Sequence, residues 1–192
     1  MKKYLLTALI VLVGQTVLAQ SPRAVDASTE EYAVYSAVIA DRFAGTHYDR
    51  IVIQNVTESN DVTIETINRN ERYFARMFPA LKNGVARDYN IRNKEPLRFK
   101  DSLVLKMEYV LIDEKEIEKV FKDSAWEEFY KKYPNSGGLI SLSRPGFNSG
   151  MNQALIYRQY WCDWLCGAGN YLLLKKSGDR WTVVKEHNVW VS

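Results

Sequence analysis

Apolar residues in the last third of the chain fall into short β-rich runs, "GGLISLS", "MNQALIYRQYW", "GNYLLLKK" and "RWTVVKEHNVWVS", parted by Gly, Pro, Asn and Asp. Runs of that length with turn residues between them predict consecutive antiparallel strands, a meander. "KKSGDRW" gives the clearest hairpin turn, with Ser177-Gly178-Asp179 between Leu174 and Trp181. Upstream the period changes. Tyr32, Tyr35, Val38, Ile39 and Phe43 recur at helical spacing between the capping candidates Ser28 and Thr29 and a stop at Gly45, which predicts an amphipathic helix docked by one face. "YDRIVIQNV" reads as a strand, and the polar 55–61 that follows reads as a flexible loop.

From 61 to 81 the residues Ile64, Ile67, Phe74, Met77, Phe78 and Leu81 keep a helical period, with Pro79 bending or stopping the helix near its end. "VARDYNIRNKEPLRF" predicts one more helical turn before Pro96. "SLVLKMEYVLI" predicts a strand, and "DEKEIEKVFKDSAWEEFYKKYP" predicts one or two short helices ended by Pro134. Helices first and strands last give an α+β class, with N-terminal helices packed on a C-terminal antiparallel sheet.

The first residues change the picture of where the chain works. "MKKYLLTALIVLVGQTVLAQS" sets Lys2 and Lys3 ahead of an apolar run from Tyr4 to Val13, then reaches Val17-Leu18-Ala19. This is the layout of a signal peptide over 1–19, which leaves 20–192 as a single α+β domain. The apolar run is too short for a membrane span, so no membrane span is expected after cleavage, and the expected location is periplasmic or secreted. Removing two lysines and no acid leaves 24 basic and 23 acidic side chains. A surface so balanced offers no concentrated basic face, and nucleic acid is not an expected partner.

Cys162 and Cys166 are the two cysteines of the chain, four positions apart in "QYWCDWLCGAGN". Four residues of extended strand cover about 13 Å, whereas a disulfide needs its Cα atoms about 4.4 to 6.8 Å apart. A bond between them therefore requires Asp163-Trp164-Leu165 to fold back as a knuckle. An oxidising compartment favours that bond. Two rival uses weigh less: a metal would need more ligands than the distant His47 and His187 offer, and C-x-x-x-C is not the C-x-x-C spacing of thioredoxin-like redox sites. No metal and no cofactor is expected.

Four of the five tryptophans, Trp161, Trp164, Trp181 and Trp190, lie in the last 32 residues. Most such aromatics brace a sheet from within. The sharper reading sets Trp164 at the tip of the knuckle, with Tyr160 or Trp161, as an exposed platform for a glycan, a peptide or an envelope protein. Arg144 and Asn148, on the turn in "SLSRPGFNSGMNQ", complete the candidate binding surface, because a planar guanidinium can grip a carboxylate by two oxygens. No catalytic residue can be named. There is no G-x-S-x-G, no phosphate-cradling glycine loop, and the paired glutamates Glu30-Glu31 and Glu127-Glu128 are neighbours that diverge on a helix.

"FYKKYPNSGGLISLSRPGFNSGMNQALIYRQYWCDWLCGAGNYLLLKKSGDRWTVV" resembles a family of exported bacterial proteins of unknown function. Its members share F-Y-x-x-Y-P-x-S-x-G, L-S-x-x-G-F-N, C-x-x-x-C-G-x-G and G-x-W in that order, the last of which this chain lengthens by one residue to Gly178-Asp179-Arg180-Trp181. The resemblance covers roughly residues 129–184 and implies bacteria and export, but no activity. Asp163 and Trp164 stand where the family has small residues, often glycine. The resulting expectation is an exported, non-catalytic binding or structural module of the bacterial envelope. The alternatives are a small envelope hydrolase and a thiol-dependent envelope protein using Cys162 and Cys166.

Overall fold

The computed structural model describes residues 27–59, 64–122 and 126–192. The signal-peptide segment lies outside them. In chain order the elements are α1 (Ala27–Arg42), β1 (Arg50–Gln54), α2 (Ile64–Met77), α3 (Val85–Arg92), β2 (Glu108–Ile112), α4 (Glu114–Phe121), α5 (Trp126–Lys132), β3 (Ser136–Leu142), β4 (Gly146–Phe147), β5 (Gln153–Asp163), β6 (Cys166–Ser177) and β7 (Arg180–Val191). The α+β class holds. The strands form one seven-stranded sheet in the order β2-β1-β3-β5-β6-β7, with β4 beside β5.

The expected purely antiparallel sheet is corrected to a mixed one. β5, β6 and β7 form the antiparallel meander, and β3 joins it antiparallel to β5. β1, however, pairs parallel with both β2 and β3. The cause lies in what separates these strands. α2 and α3 stand between β1 and β2, and α4 and α5 between β2 and β3. Connections of that length can carry the chain back to the end of the sheet where it started, which parallel pairing requires and a tight hairpin cannot do.

Side-chain alternation assigns the two faces. On one face Ile51, Ile53, Ile140, Leu142, Ile156 and Leu172 share a buried cluster with Tyr35, Val38 and Ile39 of α1. On the other, Leu155 and Leu173 cluster with Phe74, Phe78, Val85 and Tyr89 of the α2–α3 region. Val52, Ile112 and Leu139 cluster there with Val120, Trp126 and Phe129 of α4 and α5. Helical residues thus meet both faces of the sheet.

α1 departs from docking by a single face. Glu31, Tyr32, Val34, Tyr35, Ser36, Val38, Ile39 and Phe43 are all buried, a wide arc of its circumference. The segment 97–107 explains the breadth: the backbone amide of Lys100 donates to Tyr32 Oη (2.6 Å) and that of Val104 to Ser36 Oγ (3.0 Å). In consequence the strand expected over 102–112 is confined to Glu108–Ile112, while Leu103, Leu105 and Met107 pack against the α1 cluster. The loop expected at 55–61 is also tied down over its described part, with bridges Val56 to Arg98 and Glu58 to Ser143. Its polar residues take part in this, Thr57 Oγ1 accepting from the Leu97 amide (2.8 Å) and the Glu58 carboxylate from Ser141 Oγ.

Glu30 fastens the start of α1 to the β6–β7 hairpin, accepting from Lys176 Nζ and from Trp181 Nε1 (2.8 Å). Burial alone would raise its pKa, but the hydrogen bonds from Lys176 and Trp181 and the Lys176 charge outweigh burial and hold it below the ordinary carboxylate value. A carboxyl depressed in the folded state stabilises the fold above its unfolded pKa and loses that contribution as pH falls through the folded one. Thermal melting should therefore drop in the acid range below about pH 4.5. Glu30→Gln should flatten part of that drop while lowering the melting temperature at neutral pH.

Candidate functional site

β5 and β6 pair over most of their length and turn at Trp164-Leu165. A ladder irregularity between Trp161 and Asp163 lets Cys162 and Cys166 approach, with Cα atoms 5.1 Å apart and a disulfide between them. The knuckle required by spacing is therefore present, built as the closing turn of a hairpin. Three bonds hold it from outside the disulfide. The Asp163 carboxylate accepts from the Trp164 amide (2.8 Å), Tyr130 Oη donates to the Cys162 carbonyl (2.7 Å), and the Ser192 amide donates to the Gly167 carbonyl (3.0 Å). Burial, ahead of the neighbouring Tyr160 and Tyr48, pushes the Tyr130 phenol up to about 12, so it keeps its proton and remains a donor at neutral pH.

Behind the knuckle the tryptophans are fixed. Trp161 and Trp190 lie with ring centroids 6.0 Å apart, and Trp190 Nε1 donates to Tyr157 Oη (2.8 Å). Gly169 permits this: a Cβ there would overlap Trp190 Nε1 and Tyr157 Oη. In front of it, Trp164 is 63% exposed and Leu165 88% exposed. The result is an apolar tip on a rigid stem.

The remaining sequence candidates are distributed elsewhere. Tyr160 is buried on the face opposite Trp161, with the Arg42 guanidinium 4.0 Å above its ring, so the exposed pair at the tip is Trp164 and Leu165 rather than Trp164 and Tyr160. Strand alternation decides this, since adjacent residues of β5 point to opposite faces. Arg144 turns inward. Its Nε and Nη2 both donate to Glu31 Oε1 (3.0 Å each), and its backbone N–H and C=O pair with the side-chain amide of Asn93. Asn148 is buried and shapes its own turn, accepting from the amides of Asn152 (3.1 Å) and Gln153 (2.8 Å).

A second polar site was not anticipated. On the α1 face, Arg158 of β5 is only 4% exposed, and its Nη2 donates to Glu186 Oε1 of β7 (2.9 Å). Burial lowers its pKa, and the Glu186 charge opposes that. Asp41, Arg42, Tyr160 and Asn170 complete the walls of a niche of about 340 Å³ open to solvent. The available signal was phase: in "QALIYRQYW", Arg158 occupies the same side as Ala154, Ile156 and Tyr160, a charged residue in register with apolar ones.

The histidines do not converge. His187 Nε2 lies 3.1 Å from Tyr73 Oη on the α2 side of the sheet, while His47 is exposed in the link from α1 to β1. Among the described residues no group of three His, Cys, Asp or Glu side chains is placed to hold a metal, and no helix is long and apolar enough to cross a membrane.

The crosslink closes a short loop, which limits its thermodynamic weight to roughly 2 kcal/mol in the chain-entropy model. Cys162→Ser/Cys166→Ser should therefore fold, with an unfolding free energy lower by about that amount or less. A loss of cooperative unfolding would mean that the knuckle organises more than its own turn. No family model matches the chain, and neither a curated protein nor a solved structure matches it.

Proposed function

We propose that the chain is an exported bacterial protein that acts without catalysis, as a binding module whose β5–β6 tip engages a protein partner in the envelope. The supporting observation is the pairing of a strongly exposed Trp164 and Leu165 on a turn that a disulfide and three further hydrogen bonds keep rigid. Exposed large apolar side chains cost nothing to keep polar instead, so their presence together at a fixed point favours a complementary pocket elsewhere. Rigidity adds to this, because an anchor already held in its bound shape loses little entropy on docking. A protein fits better than a glycan: a sugar ring would stack on Trp164, but it would leave Leu165 unused, whereas a hydrophobic pocket takes both. The lysine-led apolar N-terminus and the resemblance of residues 129–184 to exported bacterial proteins support the location.

A photo-crosslinking amino acid placed at position 165, compared with one at the exposed Arg180 position at the opposite end of β6 and β7, tests this in cells that export the protein. The expected result is a discrete adduct from 165 that is absent from 180 and is suppressed by Trp164→Ala. Because Trp164 lies mainly in water, that substitution should change stability by less than about 0.5 kcal/mol. The same adducts from both positions, or none from 165, would contradict the reading.

A further inference from the structure

The near balance of charge over the whole chain does not hold on the α2 side of the β6–β7 ribbon. Strand alternation sends Lys175, Arg180 and Lys185 to that side with Tyr171 and Leu173, whereas Lys176, Trp181 and Glu186 face α1. α2 lies over the same side: its Tyr73 meets His187 of β7 (3.1 Å), and the ring of Phe78, just past its end, lies 5.9 Å from Lys185 Nζ. Arg76 is three positions from Tyr73 and four from Arg72, so both arginines line the flank of α2 nearest β7. Glu71, on the other flank, pairs with Arg87 of α3 (3.9 Å). Lys82 joins the group through Gln153, whose side chain accepts the Lys82 amide (2.6 Å) and whose backbone lies opposite Lys175. Arg72, Arg76, Lys82, Lys175, Arg180 and Lys185 are all exposed, and among the described residues none of them is in an ion pair. Asp179, in the hairpin turn, is the one described carboxylate of the ribbon on their side, because Glu186 pairs with Arg158 on the opposite face.

We propose that this face binds the surface of an anionic phospholipid bilayer, whose phosphodiester headgroups supply the missing negative charge. Six exposed cations against one carboxylate leave an excess that complements a layer of anions, and each basic side chain near such a surface contributes a factor of about five to binding. The residues between the cations favour lipid over nucleic acid. Pro79 and Ala80, between Arg76 and Lys82, and Val184, beside Lys185, are exposed and apolar, which suits a headgroup layer with hydrocarbon beneath it. The exposed aromatic side chains, Tyr48 and Trp164, lie away from this face, so bases find no ring to stack on. The contact is independent of the tip. Cys166 precedes Lys175 by nine residues on β6, a span of about 30 Å, so a chain held to a bilayer by this face keeps the β5–β6 turn outside the contact.

Cosedimentation of the full-length exported protein with vesicles of equal parts phosphatidylglycerol and phosphatidylcholine, at low ionic strength, tests this. The expected result is binding to these vesicles, none to pure phosphatidylcholine, and release as salt rises past about 0.5 M. Arg76→Gln/Lys175→Gln, at two exposed positions, should weaken binding about 25-fold, two factors of five. The charge-keeping pair Arg76→Lys/Lys175→Arg should bind as the parent does. Lys115→Gln/Lys119→Gln on α4 removes the same charge from exposed positions beside β1 and β2, at the far side of the sheet, and should change binding less than about twofold. Double-stranded DNA, at a phosphate concentration equal to that of the phosphatidylglycerol, should not displace the protein. Equal binding to both kinds of vesicle, binding to neither, equal losses from the two glutamine pairs, a charge-keeping pair as weak as the Arg76→Gln/Lys175→Gln pair, or displacement by DNA would each overturn the proposal.

Discussion

Glu31→Ala is expected to lower the unfolding free energy by about 3 to 5 kcal/mol, the range found when one partner of a buried ion pair is removed. Glu31 is 2% exposed, and its Oε1 accepts from Nε and Nη2 of Arg144 and from Nη1 of Arg92 (3.3 Å). The arginine side chains retain about a fifth of their exposure, 22% and 19%, so removing the carboxylate leaves two partly desolvated cations facing each other. Arg92 in turn donates to Asp88, whose carboxylate also accepts the Phe147 amide (2.7 Å). The node therefore ties α1, α3 and the β3–β4 link together. Urea unfolding followed by tryptophan fluorescence measures the loss. A change under about 1 kcal/mol would mean that the charges are solvated after all. Arg144→Met combined with Glu31→Ala should recover part of the loss, since it removes one of the orphaned charges.

Gly146→Ala should cost about 3 kcal/mol or more, at the upper end of what overpacking does. A Cβ at Gly146 would overlap the backbone N and Cα of Tyr89, so relief requires α3 to move off β4 as a body. Tyr89 is 2% exposed and packs edge-on against Phe74 (5.6 Å) and Tyr171 (5.9 Å). A displaced α3 would thus disturb the cluster that seats α2 on the sheet. The check is denaturant unfolding together with amide exchange of 85–92: loss of protection there identifies α3 as the element released. An alanine accommodated with wild-type stability would place the helix farther from the strand than it is here.

The meander was legible because each of its strands carries its own apolar run and its own turn, and pairing between sequence neighbours needs no further information. The knuckle was legible for a geometric reason, since two cysteines four apart can bond only across a reversal. The parallel half was not. β1 and β2 are five residues each, and nothing in "RIVIQ" or "EYVLI" names a neighbour. The intervening helical segments did hold the answer, because strand, helix and strand in succession favour parallel crossover.

The candidate site was legible only at its tip. The exposure of Trp164 follows from the turn that the cysteines impose, whereas Leu165 beside it was not singled out and is found by its exposure in the structure. Arg144 and Asn148 were recognised as turn residues, but a guanidinium on a turn can face water or face in, and the carboxylate that draws it inward is 113 positions away on α1. Tyr160 and Trp161 were offered as alternative partners of Trp164, whereas strand alternation sends the two to opposite faces. Arg158 was overlooked because a charged residue in a strand invites assignment to solvent, although its phase with Ile156 and Tyr160 says otherwise.

The account depends most on an exported chain in which the two sulfurs of the β5–β6 turn are joined. Alkylation of denatured protein recovered from outside the cytoplasm, without reductant and with mass detection, measures that directly. The prediction is no label on Cys162 or Cys166 until a reductant is added, and then both labelled. Quantitative labelling of both sulfurs before reduction would contradict it.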